Sequence, residues 1–239
     1  MMAFVEVWIM VLVCAMGLPL LGSALISAVA GATDQRIVNR FGNRAQYYFS
    51  FLGIIVHELS HALMALIFRH KIDQIHLVQQ VDADNRLGYV SHAWNPKSWY
   101  QQLGNFFIGM GPMLGIGLTV VGVTYLVWPQ LFWALQMDDF RGIWQGVVWW
   151  QYGLGLLVVI QLCLALNLSR ADWQNIRSGM LSYATFLSVL AIPLYFWLGT
   201  ANPIWLHFGH YIMVYFGLML GLSIVLNVIG HLVLRLKEG

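Results

Sequence analysis

Residues 45–68 read AQYYFSFLGIIVHELSHALMALIF. Apart from His57, Glu58 and His61 the run carries no ionisable imidazole or carboxylate, and it is long enough to cross a bilayer, for which about 20 apolar residues are needed. Similar runs fill most of the chain. Of its 239 residues 59% are apolar or aromatic and only 9% charged, against about 25% charged in an ordinary soluble domain. So few charges cannot cover a water-facing surface, which excludes a soluble enzyme, a nucleic-acid-binding module and a disordered chain. Cys14 and Cys163 both lie in apolar runs and form no CxxC pair, so they offer neither a disulfide framework nor a thiolate metal site.

Upstream, residues 7–33 contain no Asp, Glu, Lys or Arg and make a first span. Glu6 precedes it and no Lys or Arg does, and it is too long for the apolar core of a secretory signal, so it is read as retained. Asp34, Arg36, Arg40 and Arg44 are expected to mark the first loop. Downstream of 45–68 comes a polar stretch, 69–99, then a third span over 103–128 ended by Pro129. Asp138, Asp139 and Arg141 interrupt before a fourth span, 143–168. Residues 178–234 again lack formal charge, and Gly199-Thr200-Ala201-Asn202-Pro203 is a turn signal dividing them into spans over 180–198 and 208–234.

The expected fold class is therefore an all-α membrane protein of about six transmembrane helices, a single polytopic domain over residues 1–239 with both termini on one side. That side, with the 69–99 segment and the 169–177 loop, holds eight of the twelve Lys and Arg. An excess of Lys and Arg marks cytoplasmic loops, which predicts cytoplasmic termini, and a cytoplasmic opening for any site near the end of span two, in a cell membrane. The tryptophans near span ends, such as Trp94, Trp99, Trp128, Trp149 and Trp150, fit interfacial belts. Gly111/Gly115 and Gly217/Gly221 are pairs of small residues at the spacing of close helix packing.

Within 69–99, Ile75, Leu77 and Val81 alternate, Asp82-Ala83-Asp84-Asn85 is a turn, and residues 88–93 resume as a strand. The pattern predicts a small membrane-associated β-hairpin over about 70–95, between helices two and three. Asp82 and Asp84 are read as turn residues rather than a calcium site.

The chemistry lies in His57-Glu58-Leu59-Ser60-His61, an H-E-x-x-H pattern. Residues i and i+4 share one helix face about 6 Å apart, so both imidazoles can reach one zinc ion. Glu58, the only glutamate away from the chain ends, then stands beside the remaining coordination position, where it can take a proton from water. Ionisable groups inside a membrane span cost about 2.5–3.5 kcal/mol each even on insertion scales and are functional by default. Catalytic zinc sites take three protein ligands. Asp172 is the best third ligand, because it follows span four at the same side as the end of span two. Its other use would be to cap a short helix beginning at Trp173. His207 and His210 are rival ligands from the opposite side, and His231 reads as an interior histidine.

These residues resemble the site-2 proteases, zinc metalloproteases that cut peptide bonds within the membrane. The likeness covers about residues 45–175. It consists of His57–His61 on the second apolar span, a hairpin-like segment with Gly88-Tyr89-Val90, the stretch Gly109-Met110-Gly111-Pro112-Met113-Leu114-Gly115 in the third span, and an Asn…Asp segment ending the fourth. The second motif departs from the family's: Arg170 stands where a Pro is usual, Trp173 where a Gly is usual, and Asn167 lies closer to Asp172. No PDZ-like domain accompanies it. The resemblance implies one zinc ion per chain held by His57, His61 and Asp172, with Glu58 as base and then proton donor. It implies that Asn167 steadies the substrate or the oxyanion. Gly88, Tyr89, Val90 and His92 on the hairpin would hold an unwound substrate segment by strand addition. The partners are then a single-span membrane protein as substrate and the lipid bilayer. Two other readings exist: a membrane metal-ion transporter or metal-binding protein using His57, His61 and Asp172 as a transit site, and a relative that only binds partners.

Overall fold

The computed structural model describes residues 2–79, 87–137 and 139–235. Helix α1 (Met2–Leu12) passes through one π-helical turn (Val13–Gly17) into α2 (Leu18–Phe41). Pro19 near the start of α2 has no N–H for the Ala15 carbonyl, and the lost bond is accommodated as the wider turn. The freed carbonyl accepts the Tyr183 hydroxyl at 3.0 Å. Gly42, with φ +81°, ends α2 in a conformation that favours glycine. Helix α3 (Arg44–Phe49) and helix α4 (Phe51–Ile67) follow, separated by a break at Ser50.

Strands β1 (Lys71–His76) and β2 (Tyr89–Ala93) pair antiparallel, from Lys71↔Ala93 to His76↔Tyr89, with a register shift between Ile72 and Gln74. The predicted hairpin is therefore present. Its predicted turn, with Asp82, Asp84 and Asn85, lies outside the described residues. Helix α5 (Trp99–Val127) carries Pro112 in its interior, and Pro129 opens a further helix, α6 (Pro129–Met137). Helices α7 (Trp149–Leu164), α8 (Arg170–Leu198) and α9 (Ile204–Arg235) complete the chain.

Four of these units are long and apolar enough to cross a membrane, residues Ala3–Phe41, Trp99–Val127, Arg170–Leu198 and Ile204–Val233, while Phe51–Ile67 and Trp149–Leu164 are shorter apolar helices. The mostly helical, multi-pass membrane architecture stands, but six alternating spans do not follow from the way the helices run. Trp99 meets Phe186, Phe106 stacks on Tyr183 and Gly109 abuts Asp172, so α8 is antiparallel to α5. Phe68 lies by Gly104 and Ser60 by Gly115, so α4 is antiparallel to α5 as well. Helix α7 runs with α4: the Leu52 N–H donates to Gln161 Oε1 at 3.2 Å, and His57 reaches Ala165. Helices α7 and α8 thus point the same way. The segments expected as antiparallel spans four and five therefore run in the same direction, separated by the interruption at residues 165–169.

The two ends separate for the same reason. Phe4 meets Tyr195 and Trp8 Nε1 donates to Ser188 Oγ, so α1 opposes α8. Gly22 packs on Phe216 and Asn227 Nδ2 donates to Thr33 Oγ1, so α2 runs with α9. The start of α1 and the end of α9 therefore lie at opposite ends of the helix stack, contrary to the expectation of same-side termini, and the Lys and Arg count built on it no longer assigns an orientation. Asp34, Arg36 and Arg40 are helical rather than a loop, because no Gly or Pro intervenes before Gly42. Arg36 donates to Asn227 Oδ1 at 2.9 Å.

Backbones touch where glycines allow it. A Cβ on Gly53 would strike the Gln161 carbonyl, and one on Gly115 would strike the Ser60 hydroxyl, so α4 is clamped between α7 and α5. The pair Gly111/Gly115 does pack as expected; Gly217/Gly221 faces open space instead. Separate cysteine probes at Glu6 and Arg235, in a background with Cys14 and Cys163 replaced by alanine, are expected to react with an impermeant maleimide from opposite sides of the membrane. Labelling of both from one side would contradict the helix directions.

Candidate metal centre

His57 and His61 project from one face of α4, their ring centroids 4.9 Å apart. Each has its Nδ1 on a main-chain carbonyl: His57 on Ala165 at 3.0 Å and His61 on Ile108 at 2.8 Å. Both carbonyls are available because a helical partner is missing. In α5 the N–H that would bond Ile108 belongs to residue 112, which is proline and has none. Between α7 and α8 the N–H that would bond Ala165 belongs to Ser169, and it donates to Asp172 Oδ2 at 2.6 Å. Helix α7 ends there, and its last carbonyls are left for other donors.

Asp172 sits in the first turn of α8. Ser169 is the cap of that helix: its Oγ accepts the Asp172 N–H at 3.2 Å while the Asp172 carboxylate takes the Ser169 N–H, a reciprocal capping box. The alternative use of Asp172, as the cap of a helix beginning at Trp173, is corrected in its detail: the helix begins at Arg170 and Ser169 is its cap. The choice between cap and ligand is also dissolved, because one carboxylate serves the helix start and faces both imidazoles. Asp172 Oδ1 is 3.0 Å from His61 Nε2, and Oδ2 is 3.7 Å from His57 Nε2.

A carbonyl can only accept, so each Nδ1 carries the proton and each neutral Nε2 is a lone pair. Two lone pairs and a carboxylate then converge, with ligand atoms all within 4.8 Å of one another. Acceptors cannot satisfy one another. The arrangement needs a cation or extra protons between them, and two imidazole nitrogens with one carboxylate oxygen are a donor set suited to zinc. Pinning of the far ring nitrogens by carbonyls is the outer support such ligands need. Glu58 is 7% exposed, His61 6% and Asp172 5%, so little bulk water competes for the position.

The cavity holding these groups measures about 1340 Å³. Its wall includes His57, Glu58, His61, Asn167 and Asp172 together with Gly88, Tyr89, Val90 and His92, so every residue assigned to the site from sequence borders one space. His207, His210 and His231, all on α9, do not line it. Gly88 explains how the hairpin comes so close: a Cβ there would lie 2.8 Å from Glu58 Cγ and 2.8 Å from the Leu77 carbonyl. Asn167 lies in the interruption itself. Its Oδ1 accepts the Ser27 hydroxyl at 3.1 Å, Ser27 Oγ in turn accepts the Leu168 N–H at 2.9 Å, and Asp34 borders the same cavity.

Asp34, Ser27, Gln46, Ser50 and His70 were not singled out from sequence as parts of the site. A signal existed for α2: Ser23, Ser27, Gly31 and Asp34 form a small, polar stripe at helical spacing, legible only once Asp34 is taken as helical. Comparison of the chain with family models, with curated proteins and with solved structures finds no match. Pro112→Ala restores an N–H that competes with His61 for the Ile108 carbonyl. It is expected to weaken zinc binding by about 10-fold, the low end for loss of an outer partner of a ligand histidine, in a competition titration of the purified protein. Unchanged affinity would show that the carbonyl does not orient His61.

Proposed function

We propose that the chain is a zinc-dependent endopeptidase of the site-2 protease type, hydrolysing peptide bonds in or near transmembrane segments of single-span membrane proteins. One observation carries this: two imidazole lone pairs and a carboxylate meet beside a buried glutamate in a cavity within a bundle of apolar helices. His57, His61 and Asp172 would hold one zinc ion. When bound, the metal supplies a Lewis acid that acidifies water and polarises a carbonyl.

The chain's own groups do the rest. Glu58 takes a proton from the attacking water as its oxygen bonds to the scissile carbonyl carbon, and hands that proton to the amide nitrogen as the C–N bond breaks. The products are a carboxylate end and an amine end. Asn167, its Oδ1 held by the Ser27 hydroxyl, offers its amide nitrogen to the developing oxyanion. A peptide bond inside a helix is shielded by its own hydrogen bonds, so the substrate must unwind, and β2, carrying Tyr89, Val90 and His92, offers an edge to an extended segment. The interruption at 165–169 suits a wet cavity, since non-helical backbone at membrane depth is tolerated where it lines one.

A metal-transit role would use the same three ligands but gives Glu58 no task. Among the described residues there is one such cluster rather than a series along a path. The two roles separate on Glu58→Gln. Zinc content is expected to be equal in the variant and the unmodified protein, with cleavage of single-span substrates reduced at least about 100-fold in the variant, the usual scale for loss of a general base. Equal cleavage by both proteins, or cleavage that survives removal of zinc, would sink the protease assignment.

A further inference from the structure

His70 lies just beyond α4, is 4% exposed, and has no task in the hydrolysis. Its Nε2 bonds the Gln101 carbonyl at 2.8 Å, and its Nδ1 meets His92 Nδ1 at 3.0 Å. Gly104 leaves the room this needs, since a Cβ there would come within 2.9 Å of His70 Nε2.

The proton positions follow from the partners. A carbonyl only accepts, so His70 Nε2 carries a proton and, in the neutral ring, His70 Nδ1 is a lone pair. The hydrogen between the rings therefore belongs to His92 Nδ1. That leaves His92 Nε2 as a lone pair on a half-buried ring in the cavity wall. Burial first, then the neighbouring His70 and His61, push His92 down to about 4 against the opposing pull of Asp73. Burial also lowers His70, partly offset by the Gln101 carbonyl. Both rings are accordingly neutral near pH 7.

A neutral acceptor is what an unwound transmembrane segment lacks. Each main-chain N–H released from a helix must find an acceptor, because no water is at hand there to pair with it. On β2, Val90 and His92 alternate onto one face, and Gly88, just before the strand, is the residue that packs on Glu58. His92 thus stands a short extended stretch from the catalytic base.

We propose that His92 binds the substrate by accepting a main-chain N–H on Nε2, and that His70 is a positioning residue which holds His92 in the tautomer able to do so. This rests on the protease assignment, and its test is chosen to separate the two. Binding of a synthetic Leu/Ala transmembrane peptide with a central Asn-Gly pair is measured on the full chain carrying Glu58→Gln, so that no turnover is needed. Adding His92→Phe is expected to weaken binding about 10-fold, the scale of leaving a buried donor unpaired. His92→Gln, which keeps an acceptor, is expected to recover most of that loss, and His70→Phe to behave like His92→Phe, with zinc content unchanged throughout. Nitrogen NMR of histidine-labelled protein is expected to show His92 protonated on Nδ1 alone, and a mixture of tautomers after His70→Phe.

Equal affinity for the Phe and Gln variants, or a His92 proton on Nε2, overturns the proposal while leaving the protease assignment intact. The expected binding pattern and tautomer, without cleavage by the unmodified protein, would overturn the protease assignment alone.

Discussion

Two main-chain carbonyls, those of Ile108 and Ala165, hold the centre of this molecule together. Each has lost the amide that would pair with it in an uninterrupted helix, one to the ring of Pro112 and one to the Asp172 carboxylate, and each takes an imidazole Nδ1–H instead. The exchange satisfies buried backbone groups where no water is at hand. It also decides the chemistry, because a histidine protonated on Nδ1 has only Nε2 left to offer. The same device recurs away from the site, where Pro19 frees the Ala15 carbonyl for the Tyr183 hydroxyl.

From that constraint the rest of the architecture follows. The carbonyl of Ala165 is free only because the chain leaves helical geometry between α7 and α8, and this interruption lies at the level of α4 where His57 sits. Polar side chains pair the non-helical segment: Ser27 from α2 accepts the Leu168 N–H and donates its own hydroxyl to Asn167 Oδ1, and Asp172 accepts the Ser169 N–H. Glycines then bring the helices close enough for these bonds, Gly53 against Gln161 and Gly109 against the Asp172 carbonyl. One short break thus positions the third candidate ligand, fixes the tautomer of the first, and opens the cavity beside Glu58.

Much of this was legible in residues 45–68 and their surroundings. The pairing of His57 with His61, the hairpin, and the choice of Asp172 over His207 and His210 all came from spacing and order along the chain. The errors share a cause. Pro129 and the charges at 34–40 were read as helix ends, yet helix continues through the charges and starts again at the proline, because local composition does not report what a turn packs against. The two apolar stretches on either side of residues 165–169 look alike whether the chain reverses or goes straight on, so the direction of α8 was invisible and the termini were placed on one side.

The sequence by itself determined that this chain belongs in a membrane and that the imidazoles of His57 and His61 share one helix face. Hydropathy is a sum over neighbours, and i, i+4 proximity is built into a single helix. Only the tertiary structure decided that Asp172 faces both imidazoles, that Asp34 and Asn167 border one cavity, and that the rings of His70 and His92 meet. Those relations join helices far apart in sequence, and they depend on inter-helix distances set by glycine contacts and freed carbonyls, which no periodicity along the chain encodes.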